Sequence, residues 1–113
     1  MRVAGDSMVP ALPEGTRVTV RPTRVFWPGD LVAYARNDAR LVVHRVLGYR
    51  PGWRWTLLTR GDAAGRPDPA VSLDRVVGRA VAQGHRAVTL VHRLRALSEY
   101  LALAGRSALR HLR

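Results

Sequence analysis

From residue 16 to residue 82 the chain is a succession of short apolar or alternating runs, most of them closed by glycine, proline, asparagine or aspartate. Thr16 to Pro22 alternates, with Val18 and Val20 set against Thr19 and Arg21, as a half-buried strand does. The turn signal Pro28-Gly29-Asp30 precedes the apolar run Leu31 to Ala35. Asn37-Asp38 leads into Arg40 to Leu47, where Val42, His44 and Val46 share one face and Leu41, Val43, Arg45 and Leu47 share the other. Pro51-Gly52 separates this from a run over Trp53 to Thr59, with Trp53 and Trp55 on one face. A loop rich in glycine, proline and aspartate follows, and a last strand is predicted over Asp74 to Val81. Short strands divided by turns predict a mainly β protein built as a small antiparallel domain.

After Gly84 the period changes. Leu90, Leu94, Leu97, Leu101, Ala104, Ala108 and Leu112 recur in steps of three and four, which is one face of a helix. His92, Arg95, Glu99, Arg106, Arg110 and Arg113 fall on the opposite face. Gly105 costs such a helix roughly 1 kcal/mol relative to alanine and is a point where it could bend or stop. The chain therefore divides into a β domain over residues 1–83 and a basic amphipathic C-terminal helix over 84–113.

Composition narrows the chemistry. The 113 residues suit one modest core. With no cysteine, disulfides, thiolate metal sites and cysteine nucleophiles are excluded. All 19 basic residues are arginine, so no lysine amine is available as a general base. The net charge of +11 is shared between the two parts, +6 in residues 1–83 and +5 in residues 84–113. Such a charge invites an anionic membrane or a nucleic acid as partner. No run approaches the ~20 apolar residues that cross a bilayer. Asp6, Pro10, Pro13 and Glu14 also interrupt any signal-peptide core. A cytoplasmic or peripherally membrane-associated protein is expected, and no cofactor or metal set is called for.

The opening residues Gly5-Asp6-Ser7-Met8-Val9-Pro10 bracket a serine between turn formers. A nucleophilic serine needs such a turn, with backbone N–H groups nearby for the oxyanion. Further along stand Pro28-Gly29-Asp30-Leu31-Val32, Val43-His44-Arg45-Val46, Thr59-Arg60-Gly61-Asp62, Asp68 and Val77-Gly78-Arg79. This ordered series resembles the S24/S26 serine peptidases, specifically signal peptidase I in its archaeal and endoplasmic-reticulum form. The resemblance covers roughly residues 3 to 82. It implies a β domain of the signal peptidase/LexA-like type and a serine endopeptidase that removes a leader or signal segment from a precursor.

The resemblance also distributes roles. Ser7 would be the nucleophile, with its own backbone N–H serving the oxyanion. Gly5 stands where many bacterial members carry a serine hydroxyl donor. His44 would be the general base in place of the lysine that this chain lacks. Asp68 is the first choice to orient His44, with Asp62 the second acidic position of the pattern. Met8 and Pro10 are candidates for the substrate groove. Small side chains would be required at the first and third positions before the cut.

The remaining features leave alternatives open. His85, His92 and His111 sit in the basic tail and read as solvated. Ser7 is six residues from the start, so a relative without the N-terminal membrane helix of signal peptidases is expected. The leucine face could cover an open side of the β domain, dock on an anionic bilayer, or bind a partner. A catalytically silent relative is one competing function. A nucleic-acid module using Trp27, Trp53 and Trp55 is another, but the arginines are dispersed and no recognition motif accompanies them.

Overall fold

The computed structural model describes residues 8, 12, 15–36, 40–82 and 88–111, with the side chains of 82 and 107–111 excepted. Among these residues six strands form a single antiparallel sheet: β1 (Val18–Arg21), β2 (Leu31–Ala35), β3 (Leu41–Arg50), β4 (Thr56–Arg60), β5 (Val71–Ser72) and β6 (Val76–Ala82). Their spatial order is β1-β6-β2-β3-β4-β5. One helix, α1 (Leu90–His111), follows. This is the mainly antiparallel β domain with a C-terminal helix that the pattern predicts.

Strand β2 lies within the sheet, and its uninterrupted apolar sequence lets both faces be covered. Leu31 and Ala33 join Met8, Leu12, Val18, Val43 and Ala80 in one core cluster. Val32 and Tyr34 face the other way, into a cluster with Phe26, Val46, Leu57 and Val71. Strand β3 continues the division, because Val32 pairs with His44 and Ala33 with Val43. His44 therefore faces the second cluster side and Arg45 the first.

The turn into β2 depends on Gly29, whose φ of 95° follows Pro28. The Asp30 N–H returns to the Trp27 carbonyl at 3.0 Å. Proline second and a positive-φ glycine third is the type II pattern. At the other end of β3 the register shifts between Val46 and Gly48. There Gly48 lies against the ring of Tyr100, where an added Cβ would sit 2.6 Å from a ring carbon. Only glycine lets the helix approach this closely.

Helix α1 is seated by polar clamps. Arg93 pairs with the buried Asp30 at 3.0 Å, Glu99 accepts from Arg60 at 2.8 Å, and the Tyr100 hydroxyl donates to the Tyr49 carbonyl. Ala96, buried between these contacts, is small enough to allow them. The leucine face does not cover the sheet: Leu90, Leu94, Leu97 and Leu101 are all exposed. Arginine and tyrosine reach acceptors on strands and turns, so polar groups on the flank of the leucine stripe decide how the helix rotates. Gly105 does not end the helix, which runs through it to His111.

Other expectations shift. The fourth strand starts at Thr56, so Trp53 and Trp55 are in the preceding loop. Trp53 is 99% exposed, and Trp55 meets Tyr49 edge-on with centroids 6.4 Å apart. Pro51 and Gly52 hold the chain out of the ladder longer than the aromatic run suggests. The two-residue strand β5 was too short for any periodicity to reveal.

Candidate active site

The site is built where three strands bring one face together. Val32 pairs with His44 on the neighbouring strand, which makes Tyr34, two residues on, the diagonal neighbour of His44. Across the other edge of β3, Val46 pairs with Thr59. His44, Tyr34 and Thr59 thus share one surface of the sheet, and all three are buried.

Asp68 completes the group from the loop between β4 and β5. Its backbone N–H donates to the Thr59 carbonyl at 2.9 Å, which holds the loop against the strand. Three donors converge on a single carboxylate oxygen, Oδ2. His44 Nδ1 stands at 2.6 Å, the Thr59 hydroxyl at 2.8 Å and the Tyr34 hydroxyl at 3.3 Å. A carboxylate only accepts, so the His44 Nδ1–H donates, and the neutral ring carries its lone pair on Nε2. Tyr34 also meets the imidazole edge-on, its hydroxyl 3.4 Å from Nδ1. With the ring 3% exposed, its position is fixed by packing as well as by hydrogen bonds.

Burial works to raise the pKa of Asp68. The hydrogen bond and charge of His44, with the Thr59 and Tyr34 hydroxyls, outweigh it and hold the carboxyl below its usual value. Burial, joined by the negative charge of Asp68, pushes the Tyr34 phenol up. The cluster therefore keeps a carboxylate ionised beside an imidazole and a phenol neutral beside both. Such an arrangement fixes a histidine tautomer and stabilises an imidazolium formed by accepting a proton at Nε2.

Asp62 has a different partner. Its two oxygens take Arg45 Nε at 3.0 Å and Nη2 at 2.6 Å, a bidentate pair on the opposite side of β3 from His44. Arg45 also donates through Nη1 to the Gly29 carbonyl at 2.9 Å, tying the Asp62 loop to the turn before β2. Asp62 is therefore a brace of the loop and makes no contact with the imidazole among the described hydrogen bonds. The alternation of β3 explains the separation, since neighbours in a strand point to opposite faces.

Met8 is fully buried in the first core cluster, and its sulfur accepts from the Asp62 N–H at 3.2 Å. The groove expectation for Met8 is corrected: a thioether closed off from solvent is a core anchor. Ser7 and Pro10 lie outside the described residues. His92 also departs from expectation. It is half-buried, and its Nδ1 accepts from the Thr89 N–H at 3.2 Å while its own N–H donates to the Thr89 hydroxyl at 3.3 Å. That reciprocal pair is a capping box with histidine in the place usually held by glutamate or glutamine. His85 and the side chain of His111 lie outside the described residues.

Sequence reasoning missed Tyr34 and Thr59 as members of the site. Thr59 opens the Thr59-Arg60-Gly61-Asp62 segment, but its inward direction follows from the register of β3 with β4. Tyr34 reads as one more aromatic in an apolar run until β2 and β3 are paired.

A family model described as Peptidase S24-like matches residues 1–71, more than half of the 113-residue chain. No curated protein and no solved structure matches the chain.

Proposed function

This chain belongs to the Peptidase S24-like family, and from that premise we propose that it is a serine endopeptidase cutting a leader or signal segment from a precursor, with Ser7 as nucleophile and His44 as general base. The observation that carries the reading is the pair formed at 2.6 Å by the buried His44 and the half-buried Asp68. A backbone carbonyl would be enough to satisfy an interior strand histidine with only a structural task. Here it meets an ionised carboxylate that two further hydroxyls hold in place. The absence of lysine supports the same choice of base.

In the proposed cycle the Ser7 hydroxyl attacks the scissile carbonyl as its proton passes to His44 Nε2. Asp68 stabilises the imidazolium, which then gives the proton to the leaving amine. Water, deprotonated in turn by His44, then hydrolyses the acyl-enzyme ester, freeing the carboxylic product and returning the proton to Ser7. An open cleft of about 660 Å³ beside Asp68, walled by Ala35, Arg36 and residues 69–72, offers room for an extended peptide. Strand addition with small residues at the first and third positions before the cut is the proposed mode of binding.

The test is cleavage of peptides carrying small residues at those two positions, followed by mass spectrometry. Wild type should cut at one bond, whereas Ser7→Ala and His44→Ala should lose that product while remaining folded. Undiminished cleavage by Ser7→Ala would overturn the assignment.

A further inference from the structure

Helix α1 touches the sheet through Arg93, Ala96, Glu99 and Tyr100, which leaves its leucines facing outward. Leu90, Leu94 and Leu101 are 71%, 57% and 60% exposed, with Leu97 and Val91 exposed beside them. At 3.6 residues per turn, Leu90, Leu94, Leu97 and Leu101 fall within about 60° of arc, and their centre is about 130° around the helix from the buried Ala96. An apolar stripe four leucines long, turned away from the core that could have covered it, is an unpartnered surface among the described residues.

The polar face behind it is mainly cationic. Arg95 and Arg106, both exposed, lie on the polar face of α1, about 130° and 150° around the helix from the centre of the stripe, and Arg93, near its edge, is already paired with Asp30. The single acidic residue of α1, Glu99, is already held by Arg60. The whole chain adds a net charge of +11. We propose that this stripe docks α1 along the surface of an anionic lipid bilayer, its leucines inserted and the basic chain drawn to the acidic headgroups. Leucines on one face and arginines on the polar face are the make-up of an interfacial helix that binds acidic membranes. A second copy of this chain fits the same surface poorly, because packing stripe to stripe would bring two chains of net charge +11 against each other.

Two further observations fit. No described helix is long and apolar enough to cross a membrane, so α1 would lie in the interface plane. The Pro28 carbonyl accepts from Arg93 Nη1 at 3.2 Å, so the loop bearing the exposed Trp27 borders the first turns of the helix. An indole beside the stripe suits the headgroup level, where one end of the ring is apolar and the other hydrogen-bonds. This inference does not rest on the proteolytic reading, since it uses none of His44, Asp68 or Ser7.

The experiment is co-sedimentation of the full-length chain with phosphatidylcholine vesicles, with and without phosphatidylglycerol. Wild type should pellet with the anionic vesicles only, and raised salt should release much of it. Leu94→Glu with Leu101→Glu changes two exposed positions, so the fold should survive, as circular dichroism would verify. This double variant should lose about tenfold or more in partitioning, and Arg95→Ala with Arg106→Ala should lose less at the same salt. Wild type remaining in the supernatant with anionic vesicles would overturn the proposal. So would equal pelleting of the leucine variant, which would reduce binding to diffuse charge. A concentration-dependent dimer abolished by the leucine variant, with no vesicle binding, would assign the stripe to a second copy instead.

Discussion

Replacing Asp68 and Asp62 one at a time by asparagine separates the two acidic positions, because the structure gives them different work. His44 Nδ1 and Asp68 Oδ2 are 2.6 Å apart. Once the imidazole is protonated, charge centres about 4 Å apart at an effective dielectric of about 20 attract by about 4 kcal/mol. Asparagine keeps the size and can turn its amide oxygen toward His44, Thr59 and Tyr34, so the ring should hold its place while that attraction disappears. At ~1.4 kcal/mol per decade, Asp68→Asn should lower kcat by about a thousandfold. Triads that lose their orienting carboxylate fall by about 10⁴, in the same range.

Asp62→Asn should do the reverse. It breaks a bidentate pair whose arginine is buried, for which about 3 kcal/mol is reasonable at the low end for buried pairs, since Asp62 itself is partly exposed. For a domain of this size that lowers Tm by about 12 °C. The dyad on the other face of β3 is untouched, so kcat at low temperature should stay near wild type. Peptide-cleavage kinetics with thermal melts of both variants measure the two effects. An Asp62→Asn protein that keeps its Tm but loses kcat as deeply as Asp68→Asn would refute this division of roles.

Two other outcomes follow from the titrating groups. Burial and the charge of Arg45 lower the pKa of His92 from 6.5. The unfolded chain then binds more protons, and the stability this histidine contributes is lost as pH falls below its unfolded value and through its folded one. His92→Gln preserves the reciprocal cap without titrating, so melts from neutral to mildly acid pH should show a flatter profile than wild type. Asp68, with its pKa lowered in the fold, contributes stability present above its unfolded value of 3.8 and lost as pH falls through the folded value. Thr59→Val removes one of the donors that lower it, so acid unfolding should set in at higher pH, with roughly 1 kcal/mol lost at neutrality. Unchanged acid transitions would argue against the Thr59 contact.

Much of this was legible from residue order. Leu31–Ala35 was bounded correctly because Pro28-Gly29-Asp30 marks its start and an apolar run marks its body. The alternation of β3 already separated His44 from Arg45. The helix was evident from its period, yet its orientation was not, because polar clamps at Arg93, Glu99 and Tyr100 outweighed the leucine stripe in seating it. Trp53 and Trp55 looked like strand residues from their type alone, whereas the turn before them kept both out of the ladder.

The amino-acid sequence alone determined the strand-rich class, the helical tail, the exclusion of cysteine and lysine chemistry, and the short list of serine, histidine and aspartates. Those follow from composition and from periods of two and 3.6, which act over a few neighbouring residues. Only the tertiary structure decided that Asp68 meets His44 while Asp62 meets Arg45, that Tyr34 and Thr59 share the carboxylate, and that Met8 is core. Each of these depends on strand register or on where a loop returns, and such pairings join residues whose separation along the chain carries no local signal.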